Sequence, residues 1–221
     1  MEELWRIARN ERSQDSDLRD SANSAENCLT ANRFYIINRD NPVDLRDSAI
    51  IYAILRLSLR VSEICHLKIS DIKREGRHWV IDYRSKGGRK ERQPLPVDVK
   101  AVIDDYLEAD RSNRKDTKTD GNDSFVFQAA VMRRNFGASQ PLTTRHIWHI
   151  VKTRGVQAGL GKLAPHGLRR TAITKAFQQN TPVTAILNMS KHKSVETLMI
   201  YNKGLENLEN NAVHTLNYDS D

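Results

Sequence analysis

The sequence predicts an α+β chain, mainly α, with one small antiparallel β-sheet. Three observations lead there. Apolar residues recur at helical spacing through most of residues 44–201. One stretch breaks that period: residues 79–83 (WVIDY) alternate and are β-branched, then comes the turn Lys86-Gly87-Gly88-Arg89-Lys90 and a return stretch over 91–95, which is a hairpin pattern. Finally, 38% of the 221 residues are hydrophobic, enough for a buried core, which argues against global disorder.

Each element has its own signal. Residues 1–10 (MEELWRIARN) suit a short amphipathic helix. Residues 11–27 hold one leucine among small and polar side chains, so 1–27 is expected to be an N-terminal tail or linker, with the globular part starting near Cys28. Residues 44–59 are rich in Leu, Ile and Ala and predict a mostly buried helix, with Asp44 as its N-cap candidate behind Pro42-Val43. Residues 62–67 predict another helical turn or two after a bend at Arg60. Beyond the hairpin, Pro96 stops the second strand and 97–109 predicts an amphipathic helix. Residues 110–124 read as a charged loop and 125–127 as a short buried strand. Residues 143–160 predict a long helix, 166–178 a helix behind Pro165, and 182–189 and 194–201 two shorter ones. No internal repeat is present.

The net charge of +7 is unevenly spread. Residues 1–30 carry −3, residues 205–221 carry −4, and the stretch between carries +14. A basic body between acidic ends suits a polyanion, nucleic acid first; the plainer reading is a basic, inert surface. The two cysteines, Cys28 and Cys65, form no CxxC pair, so neither a zinc site nor a disulfide framework is implied. No signal-peptide core and no run of transmembrane length is present, so the expectation is a cytoplasmic protein without a membrane role. The pairs Asp15/Asp17 and Asp104/Asp105 read as linker and helix surface rather than as a metal cluster.

Six residues form a set with chemical meaning: Arg60, Lys86, His166, Arg169, His192 and Tyr201. Two arginines, a lysine and two histidines suit the surroundings of a phosphate, and a tyrosine suits attack on it. Taken singly, each has an ordinary reading. Arg60 caps a helix and pairs with Glu63 or Asp71, Lys86 is a solvated hairpin tip, and His166 with Arg169 is a surface pair on a helix. Tyr201 is a half-buried packing residue. Taken in order, with the strings LRVSEICHLKISDI, SKGGRKERQPLP, HGLRR and ETLMIYNK, they resemble the catalytic domain of the tyrosine recombinases, the phage integrase family, over residues 28–204. His192 to Tyr201 keeps the family's nine-residue spacing. Departures are Ser58-Leu59, where the family often has Thr-Gly-Leu, Arg170 after the HxLR box, and Met189-Ser190-Lys191 in place of the usual leucine-glycine approach to the histidine.

That resemblance implies the tyrosine-recombinase fold and a site-specific recombinase or integrase. Such an enzyme cuts and rejoins duplex DNA through a 3′-phosphotyrosyl intermediate, with no metal and no cofactor. By the same resemblance Tyr201 is the nucleophile, and Arg60, Arg169 and His192 hold the phosphate. Lys86 is the general acid to the leaving 5′ oxygen, with Lys90 as rival; His166 assists proton movement and Glu63 supports. Arg89, Lys90, Arg92, Arg170, Lys191 and Lys193 are candidate DNA contacts. The 143–160 helix, with Thr144, Arg145, His149, Lys152 and Arg154, is a candidate major-groove reader; its plainer reading is an ordinary charged surface. The implied partners are double-stranded DNA, a homotetramer on paired sites and accessory DNA-bending proteins, in a nucleoid setting. Typical members carry a separate N-terminal DNA-binding domain that residues 1–27 cannot supply, so a compact or partial member is expected. Residues 205–221 read either as a frayed acidic tail or as a helix exchanged between protomers. Two other functions stay open: a non-catalytic DNA-binding regulator, and a relaxing activity of the type IB topoisomerase kind.

Overall fold

The computed structural model describes residues 41–85, 87–113, 124–128 and 140–202. They fall into two compact units, divided between Ala172 and Ile173. The expectations for residues 1–27 and 205–221 and for Lys86 lie outside the described residues.

Helix α1, Pro42–Leu57, is the centre of the first unit. Its N-cap is Asn41, whose side chain accepts from the Val43 N–H at 3.0 Å. The cap is therefore not Asp44. Proline lacks an N–H and presets φ for the first helical position, and it pushes the residue before it into extended backbone, which is where a cap belongs. Asp44 sits in the first turn instead. The helix is buried almost all round, through Leu45, Ala49, Ile50, Ile51, Ala53, Ile54 and Leu57. It stops at Leu57, two residues short of the expected end, because Ser58 turns left-handed at φ 54°.

After Arg60 comes the short helix α2, Val61–Cys65, and a 3₁₀ turn, Ile69–Asp71. The sheet follows in the order β1 (Ile72–Glu75), β2 (His78–Arg84), β3 (Lys90–Leu95), all antiparallel. Ile72 faces Ile81 across one pair, and Trp79 faces Leu95 across the other. Strand β1 was not expected, since Ile-Lys-Arg-Glu offers one apolar residue. Ile81, Tyr83, Gln93 and Leu95 turn inward, while Asp82, Glu75 and Arg92 form an outer charged row. Helix α3, Val97–Asn113, packs on α1 through Val99, Ile103 and Tyr106.

Residues 125–127 make no strand. Bridges join Phe125 to Lys68 and Gln128 to Pro141, and the Val126 N–H donates to the Leu67 carbonyl at 2.8 Å. Phe127 stacks beside Tyr106 at 5.9 Å in the core. Helix α4, Thr144–Gln157, packs on α1 and α2 through Ile147, Ile150 and Val151. Gly155 lets the chain return closely, since a Cβ there would lie 2.8 Å from Leu163 Cγ and 3.0 Å from the Gly161 carbonyl oxygen. Helix α5 spans Pro165–Gln178 and contains the boundary between the units. The second unit adds α6 (Val183–Ser190), α7 (Val195–Met199) and a 3₁₀ turn (Ile200–Asn202) around Ile173, Phe177, Ile186 and Leu198.

Candidate active site

Arg60 is the N-cap residue of α2. Glu63, almost fully buried, accepts the Arg60 backbone N–H at 2.6 Å and its guanidinium Nη1 at 3.0 Å. One carboxylate thus fixes both the main chain and the side chain of the arginine. The i,i+3 spacing makes this possible, because Glu63 occupies the N3 position, from which a glutamate reaches back to the cap. A buried carboxylate is tolerated there because it is hydrogen-bonded and paired.

Arg169 lies in α5, buried at 5% exposure. Its Nη1 donates to the Ser58 carbonyl across 111 residues of sequence. The neighbouring Leu57 carbonyl accepts from Gln93 Nε2 at 2.9 Å, and Gln93 Oε1 accepts from the Tyr83 hydroxyl at 3.1 Å. Consecutive carbonyls at the end of α1 therefore receive one donor from α5 and one from β3. The turn they hold leads directly into Arg60. Burial pushes the Tyr83 hydroxyl well above its ordinary pKa, and the Glu63 carboxylate adds to that, so Tyr83 stays a neutral donor. Burial likewise pushes the Cys65 thiol up to about 11, the state of an unreactive core cysteine.

His166, in the first turn of α5, is exposed, while Arg169 three residues on is buried. The two share a helical segment but meet different surroundings. Of the candidate DNA contacts, Arg89 and Lys90 are exposed at the hairpin. Arg92 is engaged, Nε to Asp82 at 2.6 Å and Nη1 to Glu75 at 3.1 Å. Its hydrogen bond, with help from Lys73, lowers Asp82 to about 2. On α4, Arg145 is exposed and Lys152 Nζ lies 5.2 Å over the Trp148 ring. Arg154 does not join that face. It bonds to Asp44 and, at 2.8 Å, to Asp47 on α1. Burial works against its charge, yet those two carboxylates keep it raised. Arg170 is exposed.

In the second unit, His192 and Tyr201 stand together, ring centroids 5.6 Å apart and planes tilted by 49°. Tyr201 is half-buried in the 3₁₀ turn and packs against the small apolar cluster of that unit. His192 Nδ1 lies 2.8 Å from the Ser190 hydroxyl. Lys191, between them, has φ 51°, and Lys193 is exposed.

Residues 29–207 match the sequence model described as the phage integrase family, a span that takes in Arg60, Arg169, His192 and Tyr201. The chain belongs to the phage integrase family. The tyrosine recombinase XerA of Pyrococcus horikoshii is 31% identical over 160 residues, covering 72% of this chain and 51% of that protein. The tyrosine recombinase XerD of Proteus mirabilis is 29% identical over 164 residues, covering 73% and 49%. The chain spans about half the length of the curated relatives it matches. Among solved structures, the XerA recombinase aligns with TM-score 0.60 at 25% identity, covering 89% of this chain and 62% of that one. XerH, solved bound to its difH substrate in a pre-cleavage complex, aligns with TM-score 0.62 at 20% identity, covering 78% and 47%. These likenesses establish the tyrosine-recombinase catalytic-domain fold that the motifs implied.

Tyr83 and Gln93 take no motif position in the sequence, and Ser58 and Ser190 stand out there only as departures from the family pattern. The available signal was a polar residue, Gln93, at an inward position of a strand, which needs a partner.

Proposed function

We propose that this chain is a site-specific recombinase or integrase that cuts and rejoins duplex DNA through a 3′-phosphotyrosyl intermediate. The observation that carries this reading is the meeting of two distant arginine motifs at one turn: Arg169 holds the Ser58 carbonyl, two residues before Arg60. A pair of guanidiniums supplies charge for a phosphate that gains negative charge as it becomes pentavalent.

In this reading the Tyr201 oxygen attacks the scissile phosphorus. A P–O bond forms to Tyr201 and the bond to the 5′ oxygen breaks. The leaving oxygen takes a proton from Lys86, with Lys90 as the rival donor, and the tyrosine's proton passes to a base, for which His166 is the candidate. Arg60, Arg169 and His192 bear the phosphate oxygens, and Glu63 keeps Arg60 in place. A neutral phenol is a weak nucleophile, so surrounding positive charge does the activating. Reversal by a 5′ hydroxyl reseals the strand without ATP, because the phosphodiester energy is kept in the tyrosyl ester.

Duplex DNA is the proposed partner, contacted by Arg89, Lys90, Arg145, Lys152, Arg170, Lys191 and Lys193. Arg92 joins only where phosphate displaces Asp82 and Glu75. A homotetramer on paired sites, accessory bending proteins and a nucleoid setting belong to the same proposal. So does the domain plan, in which residues 28–204 are catalytic. No helix among the described residues is long and apolar enough to cross a membrane.

The test is incubation of wild type and Tyr201→Phe with nicked duplexes carrying sequences that flank the gene. A denaturant-resistant protein–DNA band is expected for wild type alone. Specific retention of DNA with no such band would replace this reading with a non-catalytic binder.

A further inference from the structure

Helix α6 ends at Ser190, and Lys191 then turns left-handed, φ 51° and ψ 40°, with its N–H on the Leu187 carbonyl at 2.8 Å. That turn folds the chain back over two residues. It brings the Ser190 hydroxyl to 2.8 Å from His192 Nδ1. Ser190 is fully buried, while His192 is half-buried and its ring lies 5.6 Å from that of Tyr201. A partner fixed on one imidazole nitrogen decides what the other nitrogen can do.

We infer that Ser190 is a positioning residue for His192, holding Nδ1 so that Nε2 presents a hydrogen to the phosphate. This rests on the recombinase reading above. A hydroxyl is both donor and acceptor. In the inferred arrangement it donates to Nδ1 of the neutral imidazole, which leaves the hydrogen on Nε2. It accepts from the Nδ1–H of the cation, whose Nε2 is protonated too. Nε2–H is therefore presented in both protonation states. A carbonyl in the same place accepts only, and with a neutral ring it draws the hydrogen onto Nδ1. The segment around Ser190 is where the family resemblance departs most.

Two measurements test it. Long-range proton–nitrogen NMR of the free protein reports which ring nitrogen of His192 bears hydrogen, with His192→Ala assigning the signal. Nε2–H is expected for the neutral ring in wild type, with a mixture of tautomers in Ser190→Ala and in Ser190→Cys, which keeps the volume. Hydrogen on Nδ1 in the wild type, or spectra unchanged by both variants, overturns the inference. On saturating nicked duplex, Ser190→Ala is expected to slow covalent-complex formation about tenfold, the size of one lost hydrogen bond, with DNA affinity unchanged. Made in a His192→Ala background, it should cost nothing further. An equal loss in both backgrounds makes Ser190 merely structural and overturns the inference. A wild type with no covalent complex overturns the recombinase reading and the phosphate contact with it, and the NMR arm still decides whether Ser190 holds the ring.

Discussion

Ser58 and Lys191 share one constraint: each is an L-residue in the left-handed region, at φ 54° and 51°, closing a helix where glycine is the easy choice. At both positions the sequence departs from the glycine of the motif it resembles, and the backbone turns left-handed all the same. At Ser58 the cost is doubled, because its hydroxyl is buried with no hydrogen-bond partner. Left-handed strain of about 1–2 kcal/mol and the orphaned hydroxyl outweigh the extra chain entropy that glycine loses on folding, about 0.5–1 kcal/mol. Ser58→Gly is therefore expected to raise stability by about 1 kcal/mol in urea unfolding; a loss of stability would mean that the hydroxyl has a role the hydrogen bonds do not reveal. The Arg60–Glu63 pair was legible at this scale, because i,i+3 spacing in a cap is local. The Arg169 contact with Ser58 was not, since nothing near either residue announces a partner 111 positions away.

Among elements, the helices were the most legible, because their apolar faces repeat within a few residues; α1, α3 and α4 appear near their expected places. Boundaries moved where backbone chemistry overrode periodicity: Pro42 sent the cap of α1 to Asn41, and Ser58 ended the helix early. Strand β1 was hidden because its residues are mostly charged and its pairing with β2 supplies the order. Residues 125–127 misled in the opposite sense, since three apolar residues in a row marked burial rather than a strand. The sheet's outer row sets a pH dependence. Asp82 has its folded pKa lowered to about 2 by the hydrogen bond from Arg92, against an unfolded value near 3.8. The unfolded chain takes up this proton first as pH falls, so the contribution is present above about pH 4 and is lost as pH falls to about 2. Thermal melting of Asp82→Asn is accordingly expected to be less stable than wild type at pH 6, with the gap closing towards pH 2. A gap constant across that window would show that the Arg92 and Lys73 contacts contribute nothing electrostatic.

Over the whole molecule, the charge distribution was legible and the surroundings of the motif residues only partly so. The +14 body between acidic ends comes straight from counting residues. The order of the motifs pointed to the family, and the match over 29–207 bears that out. What motif order cannot convey is what surrounds the motif residues: Tyr83 and Gln93 on the sheet steady the turn before Arg60, and the Ser190 hydroxyl meets His192. A basic body that grips DNA through phosphates releases counterions, so affinity for duplex is expected to fall at least roughly tenfold between 50 and 200 mM salt. Affinity insensitive to salt would remove phosphate contact as the basis of binding. The most direct measurement is to map the DNA–protein linkage: digest the complex formed on nicked duplex with protease and nuclease, and read the modified peptide by mass spectrometry. The predicted result is a 3′-linked nucleotide phosphate on Tyr201 and on no other residue. A linkage at another side chain, or DNA cleaved with no linkage at all, would contradict it.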